Sequence, residues 1–334
     1  LPDPEIAPEA ALAAGAAVVA TGRTETPNLI TNALVLPGLF RGALDVRSNS
    51  MTIEMVVAAA QAIAELVPPE QLIPEQIVPS VMDYAVAPHV AARVAEAAMK
   101  CGGARIERDP QEIEAQARLT VYEGHRPVPP PSHHYADLQE QALELHHRYQ
   151  GTLEIEPKIP IRDQVVLSSL YLPPGIPEAT RQILARPDAV FDYTGKSNRV
   201  AVITDGSAVL GLGNIGPRAA LPVMEGKAVL FQTFAGIEAY PICLATQDVE
   251  EIITAVMNIT PAFGGVNLED ISAPRCFEVE ERLGKLLDIP VVHDDQHGTA
   301  IVILAGIMNA LRLVEKQKQD VTVVLVGAGA AGVA

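Results

Sequence analysis

Four stretches in the last third of the chain hold the residue types that chemistry needs. They are VMEGKAVLF around Lys227, GGVNLEDI with Glu269 and Asp270, HDDQHGTA with Asp294 and Asp295, and VTVVLVGAGAAG with Gly327, Gly329 and Gly332. In order, these are a lone lysine beside an apolar run, two acidic pairs and a glycine fingerprint. Hard divalent cations such as magnesium and manganese prefer carboxylate oxygens, and two or three carboxylates leave coordination positions for substrate and water. In the fingerprint, Gly327 would make the tight turn, Gly329 would let backbone approach a pyrophosphate, and Gly332 would permit close helix packing. The set suits metal-assisted chemistry on a small acid beside a dinucleotide.

Each residue also has a plainer reading. A single acidic pair in a loop is by default a solvated one, but two pairs at the ends of apolar segments sit where α/β folds gather ligand sites. A lysine in a dry neighbourhood can have its pKa lowered and serve as a base; the same pattern marks a surface lysine whose stem lies on apolar surface. His293 and His297 flank one acidic pair, yet without cysteines or a third nearby histidine they make a poor zinc set. Tyr171, in LSSLYLPPG, precedes a proline turn and is ambiguous alone. A second glycine pattern, Gly211 to Gly216, runs straight into Pro217 and reads as a turn rather than a cofactor loop.

The elements that must position these residues alternate. Strands are expected at Gly15 to Ala20, Arg199 to Ile203, Ala228 to Phe231, Pro290 to Val292 and Val321 to Val326. Helices are expected over residues 51–66, 84–100, 137–149, 249–257, 277–287 and 299–314. Such alternation implies an α/β fold with a parallel sheet. The stretch from Arg126 to His134, RPVPPPSHH, cannot form a regular element and marks a joint. A chain of 334 residues suggests two domains. A net charge of -17 argues against a nucleic-acid surface, which needs clustered lysine and arginine. Three scattered cysteines make no disulfide framework. No apolar run reaches membrane-span length and no leader opens the chain, so the expected compartment is the cytoplasm and no membrane partner is expected.

Taken together, the stretches from YTGKSN through TDGSAVLGLGNIG, PVMEGKAVLF, FGGVNLEDI and HDDQHGTAIV to VGAGAAG resemble malic enzyme of the compact bacterial type. ALELHHRYQGTLEIEPKIPI resembles that family's amino-terminal start. PDPEI, GAAVVATGR, PNLITNALVLPGLFRGALDV and IVPSVMDY, all within residues 2 to 106, resemble its carboxy-terminal part. The resemblance implies an α/β fold, with a malic-enzyme substrate domain plus an incomplete Rossmann-like dinucleotide-binding domain with parallel sheet. It implies oxidative decarboxylation of malate to pyruvate and carbon dioxide with reduction of NAD or NADP, in a homodimer that requires Mg2+ or Mn2+. Malolactic decarboxylation and a non-catalytic metal- and dicarboxylate-binding fragment are the alternatives. Lys227 would be the base at the C2 hydroxyl and Tyr171 the acid that protonates enolpyruvate. Glu269, Asp270 and Asp295 would hold the metal, with Asp294 a secondary candidate, and Asn32 would bind substrate. The tyrosine motif is one residue longer than the usual Tyr-Thr-Pro-Gly, and Ser207 and Ala208 stand where larger relatives place an arginine.

The order of parts is reversed. Residues 1–106 match the end of the dinucleotide-binding domain and its terminal helices, and 107–136 form a tail and proline-rich joint. Residues 137–315 match the substrate domain, and 316–334 begin the dinucleotide-binding domain again. A circular permutation, a window from tandem copies and an assembly artefact would all give this order. The chain opens on Leu1, and no methionine lies between Met99 and Met224, so an ordinary start at the joint is excluded. On this reading Gly15 to Ala20 and Val321 to Val326 should be parallel strands of one sheet, because an apolar strand left unpaired is an aggregation-prone edge.

Overall fold

The computed structural model describes residues 6–24, 26–121, 138–172, 175–324 and 329–334. The helices are α1 (Pro8–Ala13), α2 (Leu36–Asp45), α3 (Ile53–Glu65), α4 (Val86–Lys100), α5 (Pro110–Val121), α6 (Leu138–Tyr149), α7 (Gln164–Leu170), α8 (Ile176–Ala185) and α9 (Val190–Tyr193). There follow β1 (Arg199–Thr204), α10 (Gly216–Ala235), β2 (Glu238–Cys243), α11 (Val249–Ile259), β3 (Gly265–Leu268), α12 (Arg275–Leu286) and β4 (Val291–His293). A π-helical turn (Asp294–Gly298), α13 (Thr299–Leu313) and α14 (Ala330–Val333) complete the order. The strands form one parallel sheet in the order β2-β1-β3-β4, with Val202 opposite Pro241 on one side and Asn267 on the other.

Period-two alternation splits each strand between two cores. Ala201, Ile203, Val266, Leu268 and Val291 face α11 and α12, against Ile252, Val279 and Leu283. Val200, Val202 and Val292 face the other way, against Met224 and Phe231 of α10. That second core also takes in Leu39 and Phe40 of α2, Met55 and Ile63 of α3, Val90 and Val94 of α4, Ile113 of α5, and Ile301 and Ala305 of α13. Residues between Leu34 and Ile113 and the sheet therefore share one apolar interior. Phe40 meets Phe231 edge to face, with ring centroids 5.5 Å apart. Helices α2 and α4 approach closely because Gly38 and Gly42 have no side chains: a Cβ at Gly42 would stand 2.4 Å from the Ala91 carbonyl oxygen.

Three strand expectations change. Ala228 to Phe231 is not a strand but the middle of α10, and Lys227 lies on that helix. The buried positions Met224, Ala228, Phe231 and Ala235 repeat at helical spacing, a period too long for a four-residue apolar run to reveal. Gly236, with φ +61, then ends the helix, as its N–H donates to Gln232 O and that of Ile237 to Phe231 O. Gly15 to Ala20 forms no strand and has no fully buried residue. Val321 to Val324 is not paired either, and Val323 and Val324 are exposed; Leu325 and Val326 lie outside the described residues. Among the described residues, these two segments thus form no pairing. Among the described residues the sheet is completed by strands between 199 and 293, and a two-sided apolar strand needs a sheet beside it to be stable. Two strands that the apolar pattern did not announce, β2 and β3, flank β1 instead.

Candidate active site

The site lies at the carboxyl ends of β1, β3 and β4, where parallel sheets gather ligands. Glu269 and Asp270 follow β3, and the Glu269 N–H still donates to Ile203 O at 2.8 Å. Asp270 has a left-handed backbone, φ +54, a conformation that costs little for Asp and is often kept at functional positions. Two bonds fix it. The Ala208 N–H donates to Asp270 O, and the Asp270 N–H donates to Asp295 Oδ2, each at 2.9 Å. The loop after β1 supports this turn: Arg275 donates to Asp205, Ser207 and Ser272, and the Ser272 N–H donates to Ser207 Oγ.

Asp294 and Asp295 follow β4 on the π-turn. One carboxylate oxygen from each of Glu269, Asp270 and Asp295 lies within 4.8 Å of the others. This is an all-oxygen donor set of hard ligands, which suits Mg2+ or Mn2+. Its electrostatics also want a cation. Burial first, then the charges of Glu269 and Asp295, pushes Asp270 up to about 8; burial and Glu269 push Asp295 up to about 7. Asp294, fully buried, is likewise held well above the usual carboxylate range by burial and Glu269, and its Oδ1 has no hydrogen-bond partner.

Lys227 reaches the same cluster from α10. Its Nζ donates to Asp294 Oδ2 at 2.5 Å and to Asn32 Oδ1 at 3.2 Å, and stands 3.1 Å from Glu269 Oε1. Asn32 Nδ2 in turn donates to Asp294 Oδ2 at 2.5 Å. The lysine is 8% exposed, so it is no surface lysine. Burial disfavours its charge, but Asp294 and Glu269 outweigh that and raise its pKa, the reverse of the lowering expected for a dry lysine. Residues from opposite ends of the chain thus meet here, with Asn32 joining Lys227, Glu269, Asp270, Asp294 and Asp295.

Other expected residues stand apart. Tyr171 caps the end of α7, is 74% exposed, and its hydroxyl bonds to none of the cluster. Gly327 lies outside the described residues. Gly329 and Gly332 border and occupy the four-residue α14, which packs against the π-turn, but no strand leads into them among the described residues. Among the described residues, therefore, no strand, glycine turn and helix together make a dinucleotide cradle there. Gly211, Gly213 and Gly216 all have positive φ and form a turn before α10, as expected of that pattern. His293 is wholly buried, burial lowers its pKa, and among the described residues it joins no group of converging metal-ligand atoms. Sequence reasoning missed Asn267, whose Nδ2 donates to Glu269 Oε2 at 2.8 Å, and Glu280 beneath the π-turn. Both are polar residues inside otherwise apolar faces, which was the available signal.

A lysine and four acids gathered at the carboxyl edge of a parallel sheet are a set of groups suited to holding a divalent cation and a proton side by side. Two family models match the chain: the malic enzyme N-terminal domain over residues 150–284 and the malic enzyme NAD-binding domain over residues 9–99. Both models are of malic enzyme domains, and the match to the N-terminal domain comes second along this chain. The NAD-dependent malic enzyme of Geobacillus stearothermophilus is 59% identical over 55% of this chain and 38% of its own length. The bifunctional malic/malolactic enzyme of Bacillus subtilis is 58% identical over 59% of this chain and 48% of its own. The chain thus spans less than half the length of these curated relatives. The crystal structure of malic enzyme from Pyrococcus horikoshii matches with a TM-score of 0.56 at 48% identity, covering 59% of this chain and 46% of that one. That of Entamoeba histolytica malic enzyme matches with a TM-score of 0.56 at 34% identity, covering 72% of this chain and 46% of that one.

Proposed function

We propose that the chain carries the metal- and substrate-binding machinery for oxidative decarboxylation of malate to pyruvate and carbon dioxide, with NAD or NADP as hydride acceptor. The observation that supports this most is the buried contact of Lys227 with Asp294 and Glu269 beside the three-carboxylate group. Glu269, Asp270 and Asp295 would hold Mg2+ or Mn2+. Bound there, the cation supplies Lewis-acid polarisation of the substrate's C2 oxygen and C1 carboxylate.

The protein's own groups set the proton chemistry. Lys227 would take and hold the proton of the C2 hydroxyl, once the charge of Glu269, which together with Asp294 favours its protonated form, is shared with a cation. Asp294 orients the ammonium, and Asn32, hydrogen-bonded to both Lys227 and Asp294, is the amide beside them that would meet a substrate oxygen. Tyr171 as the acid at carbon belongs to the family reading, because its hydroxyl lies outside this cluster. Hydride transfer likewise belongs to that reading, because the described residues do not assemble the dinucleotide cradle. The same reading carries a homodimer in the cytoplasm. Leu143, Ile155, Val165 and Leu184 are individually exposed, and no helix among the described residues is long and apolar enough to cross a membrane.

The test is malate-dependent reduction of added NAD or NADP with Mn2+, read by the absorbance of the reduced nicotinamide and by pyruvate release. Lactate in place of pyruvate would move the reading to malolactic decarboxylation. Mn2+ and malate binding without turnover would reduce it to a binding fragment.

A further inference from the structure

Glu280 lies mid-way along α12, on the face that carries Cys276, Val279 and Leu283 into the core, and its side chain is 13% exposed. Its Oε1 accepts the His293 backbone N–H at 2.7 Å and stands 2.8 Å from His297 Nδ1, while its Oε2 accepts from Gln296 Nε2 at 2.8 Å. These three partners bracket Asp294 and Asp295. The backbone between them is a π-turn, a geometry that is rare and mostly kept where a site requires it. Glu280 is not among the three acids whose oxygens converge, so it is a further carboxylate near an acidic cluster with no share in that group.

We propose that Glu280 is a positioning residue that clamps the π-turn, so that Asp294 meets Lys227 while Asp295 meets Glu269 and Asp270. The inference rests on the metal reading above. A carboxylate placed beside other carboxylates adds repulsion, and three hydrogen bonds to a charged acceptor are strong enough to offset it. Without them the turn has no anchor on α12. Its remaining tie to the Glu269–Asp270 loop is the single bond from the Asp270 N–H to Asp295.

Mn2+ titration of the full chain, following free Mn2+ by electron paramagnetic resonance, tests this. Outer partners of metal ligands typically govern about 10–100-fold in affinity, so Glu280→Ala should weaken Mn2+ by that much. Glu280→Gln keeps an oxygen for the His293 N–H and for His297, and Gln296 can turn its amide to meet the new one. It should stay within about threefold of wild type. A drop in Tm for Glu280→Ala alone would not distinguish a clamp from simple packing, whereas the Mn2+ affinity and the glutamine rescue do. If the alanine variant does not fold, Glu280→Asp, which keeps the charge but withdraws it by about 1.5 Å, should show the same weakening. Wild-type affinity in the alanine or aspartate variant would overturn the clamp, as would a glutamine variant as weak as alanine. Absence of Mn2+ binding in wild type itself would instead remove the metal reading beneath it.

Discussion

Lys227 is held by three oxygens, from Asn32, Glu269 and Asp294, and this arrangement separates proton chemistry from metal binding. Lys227→Ala in an active form should lower malate oxidation by about 10²–10⁴-fold, the usual loss for a general base, while Mn2+ affinity stays within a few-fold. Near-normal turnover at every pH would take the lysine out of the mechanism. The carboxylates give a pH signature. Folded-state values of about 8 for Asp270 and about 7 for Asp295 lie above the ordinary range near ~4. Protons therefore compete with the cation, and Mn2+ affinity should rise as pH climbs through 7 to 8 and then level off. For the metal-free chain the sign is the opposite. The protonated acids favour the fold, so the contribution is complete below ~4 and lost as pH rises through 7 and 8, until added Mg2+ restores it. Melting curves across that window, with and without Mg2+, check both directions. Gly298 is the third residue-scale constraint: a Cβ there would fall 2.0 Å from Asp294 Oδ1 and 3.2 Å from Asn32 Cβ. Gly298→Ala should displace Asp294 and loosen Lys227, reducing turnover more than it lowers Tm. Unchanged kinetics would show that the turn can yield.

At the scale of elements, Asn309 shows how α13 fastens the first part of the chain. Its buried amide donates to Ala64 O at 3.0 Å and to Ile77 O at 2.9 Å. Asn309→Ala would leave two carbonyl groups without these donors, at roughly 1–3 kcal/mol each where they stay dry. Chemical denaturation should show that loss, and a change below the experimental scatter would mean that water replaces the amide. Helices α3, α4, α11, α12 and α13 were legible in the sequence because each repeats its apolar positions over several turns. The strands were less so. EAYPIC carries Pro241 and only half-buried positions at the sheet edge, and GVNL places Asn267 in a strand interior, so neither shows the apolar pattern of a central strand. The acids of the site were visible as pairs next to glycine and apolar runs. Their partner Lys227 was visible by type but assigned to the wrong element. Its contact with Asn32 spans 195 positions, and no local pattern carries such a distance.

At the scale of the molecule, the order of the parts matters less than the core they share. Phe40 of α2 meets Phe231 of α10 edge to face, and Arg105 donates to the Asp288 carbonyl. Asn32 completes the pairing of Lys227 with Asp294. Residues 30–113 and 199–313 thus bury apolar surface against each other and build the site together, although the region from 122 to 137 lies between them in sequence. Contacts of this kind hold by burial and need no covalent link at one particular point. Cutting the chain within 122–137, at an inserted protease site, should therefore leave the two pieces associated. They should co-elute in gel filtration, melt in one transition and keep the Mn2+ affinity of the uncut chain. Phe40→Ala sharpens the experiment, because removing a buried aromatic costs about 3–5 kcal/mol and lies on the shared surface. In the uncut chain that loss should appear only as a lower Tm, whereas in the cut chain it should also release the pieces from each other. Two independent melting transitions, or pieces that separate while each stays folded, would show that the halves are neighbours rather than one core.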